Sequence, residues 1–488
     1  RFWGEHFSGE ASATAEAVQE ALASHLAECG PRIYNLVRNT DFVGRLADSD
    51  SDGSVTEAEA AAFFARDGDA GLPAAIKAVK DRPSDSTLML VMVIKNEREH
   101  LERSLPKWAP LVDYWLIGVD DKNTDGSEEV IQKNLGHIPG EMYNVTFDGM
   151  GPTLTQLVRR GLEKYPNATH GILADADFTP ISTPQDWSKH ELDLMTSKHS
   201  FTIWNEKGKE WRKMDWIYRN IPGVKVIRRT HQTCEVPSIP GQLRYSKEIT
   251  FQVREYTGGY QDRSGSKQQT YIRWLEKDLE EMPGDGRTVY YLAVAHLLAF
   301  MSGPDPQHQV RTNGPNMKHA LEAFRYFREC ATMESASSEQ RYFALTEAAQ
   351  LCERYLGRFG EAESDYLKAG AMDPVRADAW HGVGELHRKQ GQYAKAIPYL
   401  RKAAALVMPK RNFGQNEYLY TCQRHVSLGK AVEKAKKPSA ADVADARKSL
   451  LIARAKCTPD QQHEVESLLQ SIAAKDAVAA GSKMRSEL

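Results

Sequence analysis

Short apolar runs alternate with amphipathic stretches through the first half of the chain, and a purely helical rhythm replaces them in the second. Leu88-Met-Leu-Val-Met-Val-Ile94 is apolar without a break, which reads as a strand buried on both faces. A helix from Glu97 to Leu105 follows, then a strand from Tyr114 to Val119 and a helix from Ser127 to Leu135. The pattern continues with a strand from Met142 to Phe147, a helix from Thr153 to Lys164 and a strand from His170 to Leu173. Such alternation predicts an α/β fold, a Rossmann-like, mostly parallel sheet with helices on both faces. Ligands on such sheets sit outside the carboxyl ends of the strands. After Pro180 the rhythm fades. A helix is expected from Trp187 to Met195, and Val224 to Glu235 reads as a strand running into a polar turn.

From Tyr271 the apolar spacing is helical almost to the end. Gly357, Phe359, Ala362, Tyr366 and Ala369 recur as Gly391, Tyr393, Ala396, Leu400 and Ala403, a constant offset of 34 residues. Ala320, Phe324 and Phe327 mark an earlier copy, and further helices are expected over 416–428 and 440–472. Stacked helical repeats of this kind bury one continuous core and expose a concave face. Trp380, His387 and Tyr393 are placed around that face, with repeat core as the alternative for Trp380 and Tyr393. At the other end, helices are expected over 11–28 and 33–46, before a breaker-rich stretch. The expected divisions are therefore 1–70, a linker at 71–87, 88–270, 271–475 and a tail at 476–488.

Composition narrows the function classes. Lys plus Arg number 63 against 66 for Asp plus Glu, a net charge of −3, so no basic field points to nucleic acid. No apolar run is long enough for a transmembrane span. Cys29, Cys234, Cys330, Cys352, Cys422 and Cys457 are scattered without metal-ligand spacing, and reduced, buried thiols are the expectation. The first residue is Arg1, for which a removed tag or targeting segment is the expected reason. Asn144-Val-Thr and Asn167-Ala-Thr are glycosylation triplets with meaning only in a secretory compartment. Localisation stays open between the secretory lumen, Golgi or ER, and the cytoplasm.

The chemistry-bearing residues gather at the expected strand ends. Asn96 and Glu97 follow the first strand, Asp120 and Asp121 the second, and Asp175-Ala-Asp177 the fourth. Along an extended chain, residues two apart point the same way, so Asp175 and Asp177 are expected to share one cation. Farther upstream, Asp48, Asp50 and Asp52 are spaced by two, Gly53 supplies a sharp turn, Ser54 offers a carbonyl, and Glu59 closes the loop with a carboxylate. That pattern resembles an EF-hand calcium loop and implies Ca²⁺. EF-hands pair, so residues 1–45 would hold a degenerate partner, or the site would be structural.

Taken in register, Ile94-Lys-Asn-Glu-Arg, Val119-Asp-Asp-Lys-Asn-Thr-Asp-Gly-Ser and Leu173-Ala-Asp-Ala-Asp resemble the family-2 glycosyltransferases of the GT-A fold, over about residues 88–180. The 34-residue period, with Pro374, Trp380 and Gly384, resembles tetratricopeptide repeats. The glycosyltransferase resemblance implies a metal-dependent inverting transfer from a nucleotide-diphosphate sugar, UDP-sugar favoured, to a protein, peptide or glycan acceptor. It implies that Asn96 and Glu97 line the nucleoside pocket, that Asp120 or Asp121 meets base or ribose, and that Asp175 and Asp177 take Mn²⁺ or Mg²⁺ on the diphosphate. Glu235, His231 and Asp262 are the candidates for the catalytic base, His231 alternatively completing the metal shell. Two departures bear on the donor pocket. Lys122-Asn123 replace the family's small pair, and Gly151-Pro-Thr-Leu-Thr-Gln156 stands where relatives carry Arg-Asn. Trp204, Trp211 and Trp216 suit either a sugar face or a core. The alternative reading is a calcium-responsive repeat scaffold whose transferase domain is degenerate.

Overall fold

The computed structural model describes residues 86–192, 196–237, 243–257, 267–302, 314, 316–409 and 416–486, with the backbone of 12–13 and 55–56. The calcium-loop residues Asp48, Asp50, Asp52, Ser54 and Glu59 lie outside the described residues, as does Asp262. Val55–Thr56 of that loop pair antiparallel with Ser12–Ala13. The chain divides into two compact units, Arg1–Lys267 and Gln268–Leu488.

The first unit is built on an eight-stranded sheet. Its elements begin β1 (Leu88–Ile94), α1 (Arg98–Trp108), β2 (Tyr114–Asp120), α2 (Ser127–Leu135), β3 (Gly140–Val145), α3 (Met150–Lys164), β4 (His170–Leu173) and β5 (Phe178–Pro180). Then come β6 (Thr196–Trp204), β7 (Glu210–Arg219), β8 (Lys225–Ile227), β9 (Thr233–Glu235) and β10 (Leu243–Glu255). Across the sheet the order is β3-β2-β1-β4-β7-β6-β10-β5, with β8 and β9 forming a separate hairpin. The β3-β2-β1-β4 half is parallel. Beyond β4, three of the four pairings are antiparallel and only β6 with β10 is parallel. The sheet is thus mixed, which corrects the mostly parallel expectation for the part after Pro180. The parallel half is apolar on both faces: Leu88 to Met92, Leu116, Ile117, Ile172 and Leu173 are all buried.

Over residues 187–192 the expected helix from Trp187 to Met195 does not form. This stretch holds only a single tight turn at Lys189–Glu191, and β6 opens at Thr196. Trp187 packs against Phe251, a long-range contact that outweighs a local helical spacing. Trp216 is buried and stacks with Phe178, so it is core.

The second unit is all helix: α4 (Lys267–Glu281), α5 (Gly286–Met301), α6 (Met317–Thr332), α7 (Ser338–Leu351), α8 (Phe359–Met372), α9 (Ala377–Lys389) and α10 (Tyr393–Ala405). It ends with α11 (Arg424–Lys434), α12 (Ala440–Lys456) and α13 (Pro459–Ser486). From α5 onward, consecutive helices pack against each other, and α5, α7, α9 and α11 touch in turn as one layer. Ser337 and Gln340 form a capping box that starts α7, and Ser439 with Asp442 does the same for α12. The 34-residue period has a backbone cause. Gly357 and Gly391 hold equivalent left-handed positions, φ 65° and 74°, where the chain turns from one helix into the next. Ala362, Tyr366 and Ala369 are buried, as are Ala396, Leu400 and Ala403.

Trp380 and His387 are buried and Tyr393 is partly buried, which favours the core alternative for Trp380 and Tyr393. Trp380 lies parallel to Tyr399 with Lys402 over its ring, and His387 bonds Glu363 and Gln392. Tyr393 packs against the core around Ala396. The reduced-thiol expectation also fails in one place, because Cys422 and Cys457 form a disulfide. Cys234, Cys330 and Cys352 are free and buried. Asn144 and Asn167 are both exposed. No helix among the described residues is long and apolar enough to cross a membrane.

Candidate functional site

The carboxyl ends of β1, β2 and β4 carry the candidate residues, and a lattice of side-chain to backbone bonds joins the first two. Asn96 donates its amide N–H to Asn123 Oδ1 (2.6 Å), and its own side-chain oxygen accepts from the Thr124 amide (2.8 Å). Arg98 N–H bonds Asp125 (2.8 Å), and Glu97 N–H bonds the Ser127 hydroxyl (3.3 Å). The Lys122-Asn123 pair therefore has a structural use, since Asn123 clasps Asn96 and reaches Glu128 (2.9 Å). Asp120 is buried against Lys95 at 3.2 Å, whereas Asp121 is exposed and accepts from Thr146 (3.2 Å).

Asp175 and Asp177 are brought together by a turn, not by the strand alternation expected for them. The Phe178 amide donates to the Asp175 carbonyl (3.0 Å), reversing the chain between β4 and β5. Three more bonds fix the turn: Ala174 N–H to Val91 O (3.0 Å), Tyr256 N–H to Asp177 O (3.2 Å), and the Trp108 indole to Phe178 O (2.9 Å). The register of β5 on β10 sets Glu255 opposite Phe178, where it pairs with Arg212 at 2.9 Å.

Burial pushes both aspartates well above the ordinary carboxylate range. Glu255 and Glu97 raise Asp175 further while Arg212 opposes them, and Asp175 itself adds to the rise at Asp177. Asp177 Oδ1 is buried and has no hydrogen-bond partner among the described residues. Two crowded carboxylates with an unsatisfied oxygen call for a proton or a cation. Their donor set suits a hard divalent ion that completes its shell with other oxygens. By themselves, no three His, Cys, Asp or Glu side chains among the described residues converge closely enough to hold an ion.

The loop after β8 lies against the start of α3. Arg229 O and Arg228 O accept from the amides of Met150 and Gly151 (2.8 and 2.9 Å). That approach requires glycine: a Cβ on Gly151 would fall 2.3 Å from the Arg228 carbonyl. The fold thus brings Arg228 and the buried Arg229 to the start of α3, and Arg229 pairs with Asp148 at 3.3 Å. Asn96, Arg228 and His231 are the non-glycine residues of positive φ among those described, and all three sit in loops at this end of the parallel strands.

Of the base candidates, His231 lies in that strained loop. Glu235 does not: β9 runs back along β8, Glu235 pairs with Lys225 at 3.0 Å, and it is half exposed. Glu255 was missed by sequence reasoning because only the long-range β5–β10 pairing carries it to the turn.

Residues 377–408, which are α9, α10 and the segment just after them, match the tetratricopeptide repeat family. No curated protein sequence matches the chain. Among solved structures, the chain is similar to the MamA protein (18% identity, TM-score 0.28, 42% of this chain and 88% of that one). It is also similar to a thermophilic TPR protein in Thermus thermophilus (18%, 0.27, 43% and 94%). A third is YrrB, a TPR protein with an unusual peptide-binding site (15%, 0.24, 44% and 99%). The family match, together with the helix pairing described above, shows that the C-terminal unit contains tetratricopeptide-like helical repeats.

Proposed function

We propose that the first unit is a metal-dependent inverting glycosyltransferase that takes a nucleotide-diphosphate sugar, with the repeats serving a protein, peptide or glycan acceptor. The observation that carries this reading is the turn from Asp175 to Phe178. It gathers two carboxylates that destabilise each other at the carboxyl end of parallel strands. Asp175 and Asp177 would hold Mn²⁺ or Mg²⁺. When bound, that ion offsets the charge that develops on a diphosphate leaving group. Asn96, held by Thr124, orients the rim of a nucleoside pocket together with Asp121. Arg228 and Arg229 bring positive charge to the head of α3. His231 is favoured over Glu235 as the base, for the reasons of placement given above. Calcium at Asp48 to Glu59 belongs to the same proposal, and the pairing of Val55–Thr56 with Ser12–Ala13 is the support for it.

The test is donor hydrolysis across a panel of UDP- and GDP-hexoses with Mn²⁺. Turnover by the wild type, and its loss by at least roughly 100-fold in a folded Asp177→Asn variant, is the expected result. The alternative, a repeat scaffold with a degenerate transferase unit, is favoured by the tetratricopeptide match alone. It would gain if every donor stays intact.

A further inference from the structure

Two histidines of neighbouring repeat helices meet nitrogen to nitrogen. His296 of α5 and His319 of α6 bring their Nδ1 atoms to 2.9 Å, and neither ring has another hydrogen bond from a described residue. One proton fits between two such atoms, so one ring donates and the other accepts. His296 is buried and lies 17° from parallel with the Tyr326 ring, which fixes its orientation. His319 is only partly buried, at the start of α6, and is the freer of the two.

The surroundings suit a metal ligand. Burial, with His319 beside it, pushes the His296 imidazole down to about 4, and burial lowers His319 as well. Both rings are therefore neutral around pH 7, the form in which imidazole ligates a metal. Glu322, one turn beyond His319, adds a negative charge that reaches both rings. Two cations also act on the pair. Lys318 is exposed to solvent, and Arg325 is held by Glu322 at 2.7 and 3.0 Å and lies over the Tyr326 ring.

Spacing discriminates among ions. Two nitrogens at about 2.0–2.1 Å from one ion stand about 2.9 Å apart at a right angle, and about 3.3–3.4 Å apart at the tetrahedral angle. The observed 2.9 Å suits adjacent corners of a square-planar or tetragonal site, the geometry of Cu²⁺ and Ni²⁺, more than tetrahedral Zn²⁺. The ring centroids are 5.2 Å apart, so the two rings aim at each other along the shared proton. An ion would sit beside that line, with His319 swung toward it and the proton moved to Nε2 of its own ring. No third His, Cys, Asp or Glu among the described residues converges with the pair, which leaves the remaining positions to water.

We propose that His296 and His319 form a two-histidine site for Cu²⁺ or Ni²⁺ that clamps α5 to α6. Mn²⁺, the weakest of these ions for nitrogen ligands, belongs to the carboxylate turn instead. The proposal stands independently of any transferase activity in the first unit.

The test titrates the full chain with Ni²⁺ by calorimetry and records the electron paramagnetic resonance spectrum with one equivalent of Cu²⁺. The wild type should show nitrogen splitting from two imidazoles, and His319→Asn, at the less buried position, from one. That variant should bind Ni²⁺ at least about tenfold more weakly. Ni²⁺ should raise the melting temperature of the wild type and not that of the variant. His296→Phe should behave the same way, and covers the case in which the first variant misfolds. Equal Ni²⁺ affinity in the wild type and either folded variant would overturn the proposal, because the chain's 15 histidines offer other places to bind. So would no binding of either ion, fewer than two nitrogens on Cu²⁺ in the wild type, or tighter binding of Zn²⁺ than of Cu²⁺.

Discussion

The two units treat buried carboxylates in opposite ways. In the repeats, acids are matched by bases: Asp365 is fully buried between Arg328 at 3.6 Å and Lys368 at 3.5 Å, and Arg376, itself 1% exposed, answers Asp378. At the end of the parallel strands, Asp175 and Asp177 face each other with Glu97 and Glu255 adding to the repulsion. Structural charges are paired within the fold, whereas charges kept for a ligand are left for the ligand to satisfy.

Removing one member of a matched pair should give the largest stability effect. Arg376→Met leaves Asp378 with only the Tyr420 hydroxyl to answer it, and should cost about 3–5 kcal/mol in urea unfolding of the repeat unit. A loss under about 1 kcal/mol would show that the pairing matters little.

The Cys422–Cys457 bond comes next. It closes a loop of sequence separation 35, so Cys457→Ser should cost about 3–4 kcal/mol. Reductant should reproduce that loss in the wild type and leave the variant unaffected.

Smaller, and of opposite sign, is the effect at the turn. Asp177→Asn relieves repulsion, so the metal-free protein should gain about 1–2 kcal/mol near pH 8. The pH dependence follows from the same shift. Native aspartates with raised pKa keep protons that the unfolded chain releases, so metal-free stability falls as pH rises from the acidic into the neutral range. Mn²⁺ competes with those protons. Its stabilisation of the wild type, read as a melting shift, should therefore be larger at about pH 8 than at about pH 6. A shift independent of pH would separate the metal from these two carboxyls.

How much of this was legible in the sequence follows from which contacts are local. β1 and β4 could be read directly, because a strand buried on both faces is apolar throughout, as Leu88–Ile94 is. The repeats were legible through Gly357 and Gly391, whose left-handed backbone imposes the period. The second half of the sheet was not, since β6, β7 and β10 mix charged and aromatic residues, and the β6–β7 hairpin takes its place through pairing with β4 and β10 far away in sequence. The acidic site was half legible. Asp175 and Asp177 are neighbours in sequence, but the turn that joins them depends on Trp108 and Tyr256, and Glu255 arrives only with β10. Cys422 and Cys457 gave no spacing signal, because helix packing brings them together.

The central claim is that Asp175 and Asp177 form a cation site completed by a diphosphate. Its most direct test is a Mn²⁺ titration followed by electron paramagnetic resonance, with UDP or GDP present and absent, on the wild type and Asp177→Asn. The account predicts weak Mn²⁺ binding to the wild type alone, at least tenfold tighter binding with one of the nucleotides, and no such gain in the variant. Equal Mn²⁺ affinity in the wild type and the variant, with nucleotide present, would contradict it.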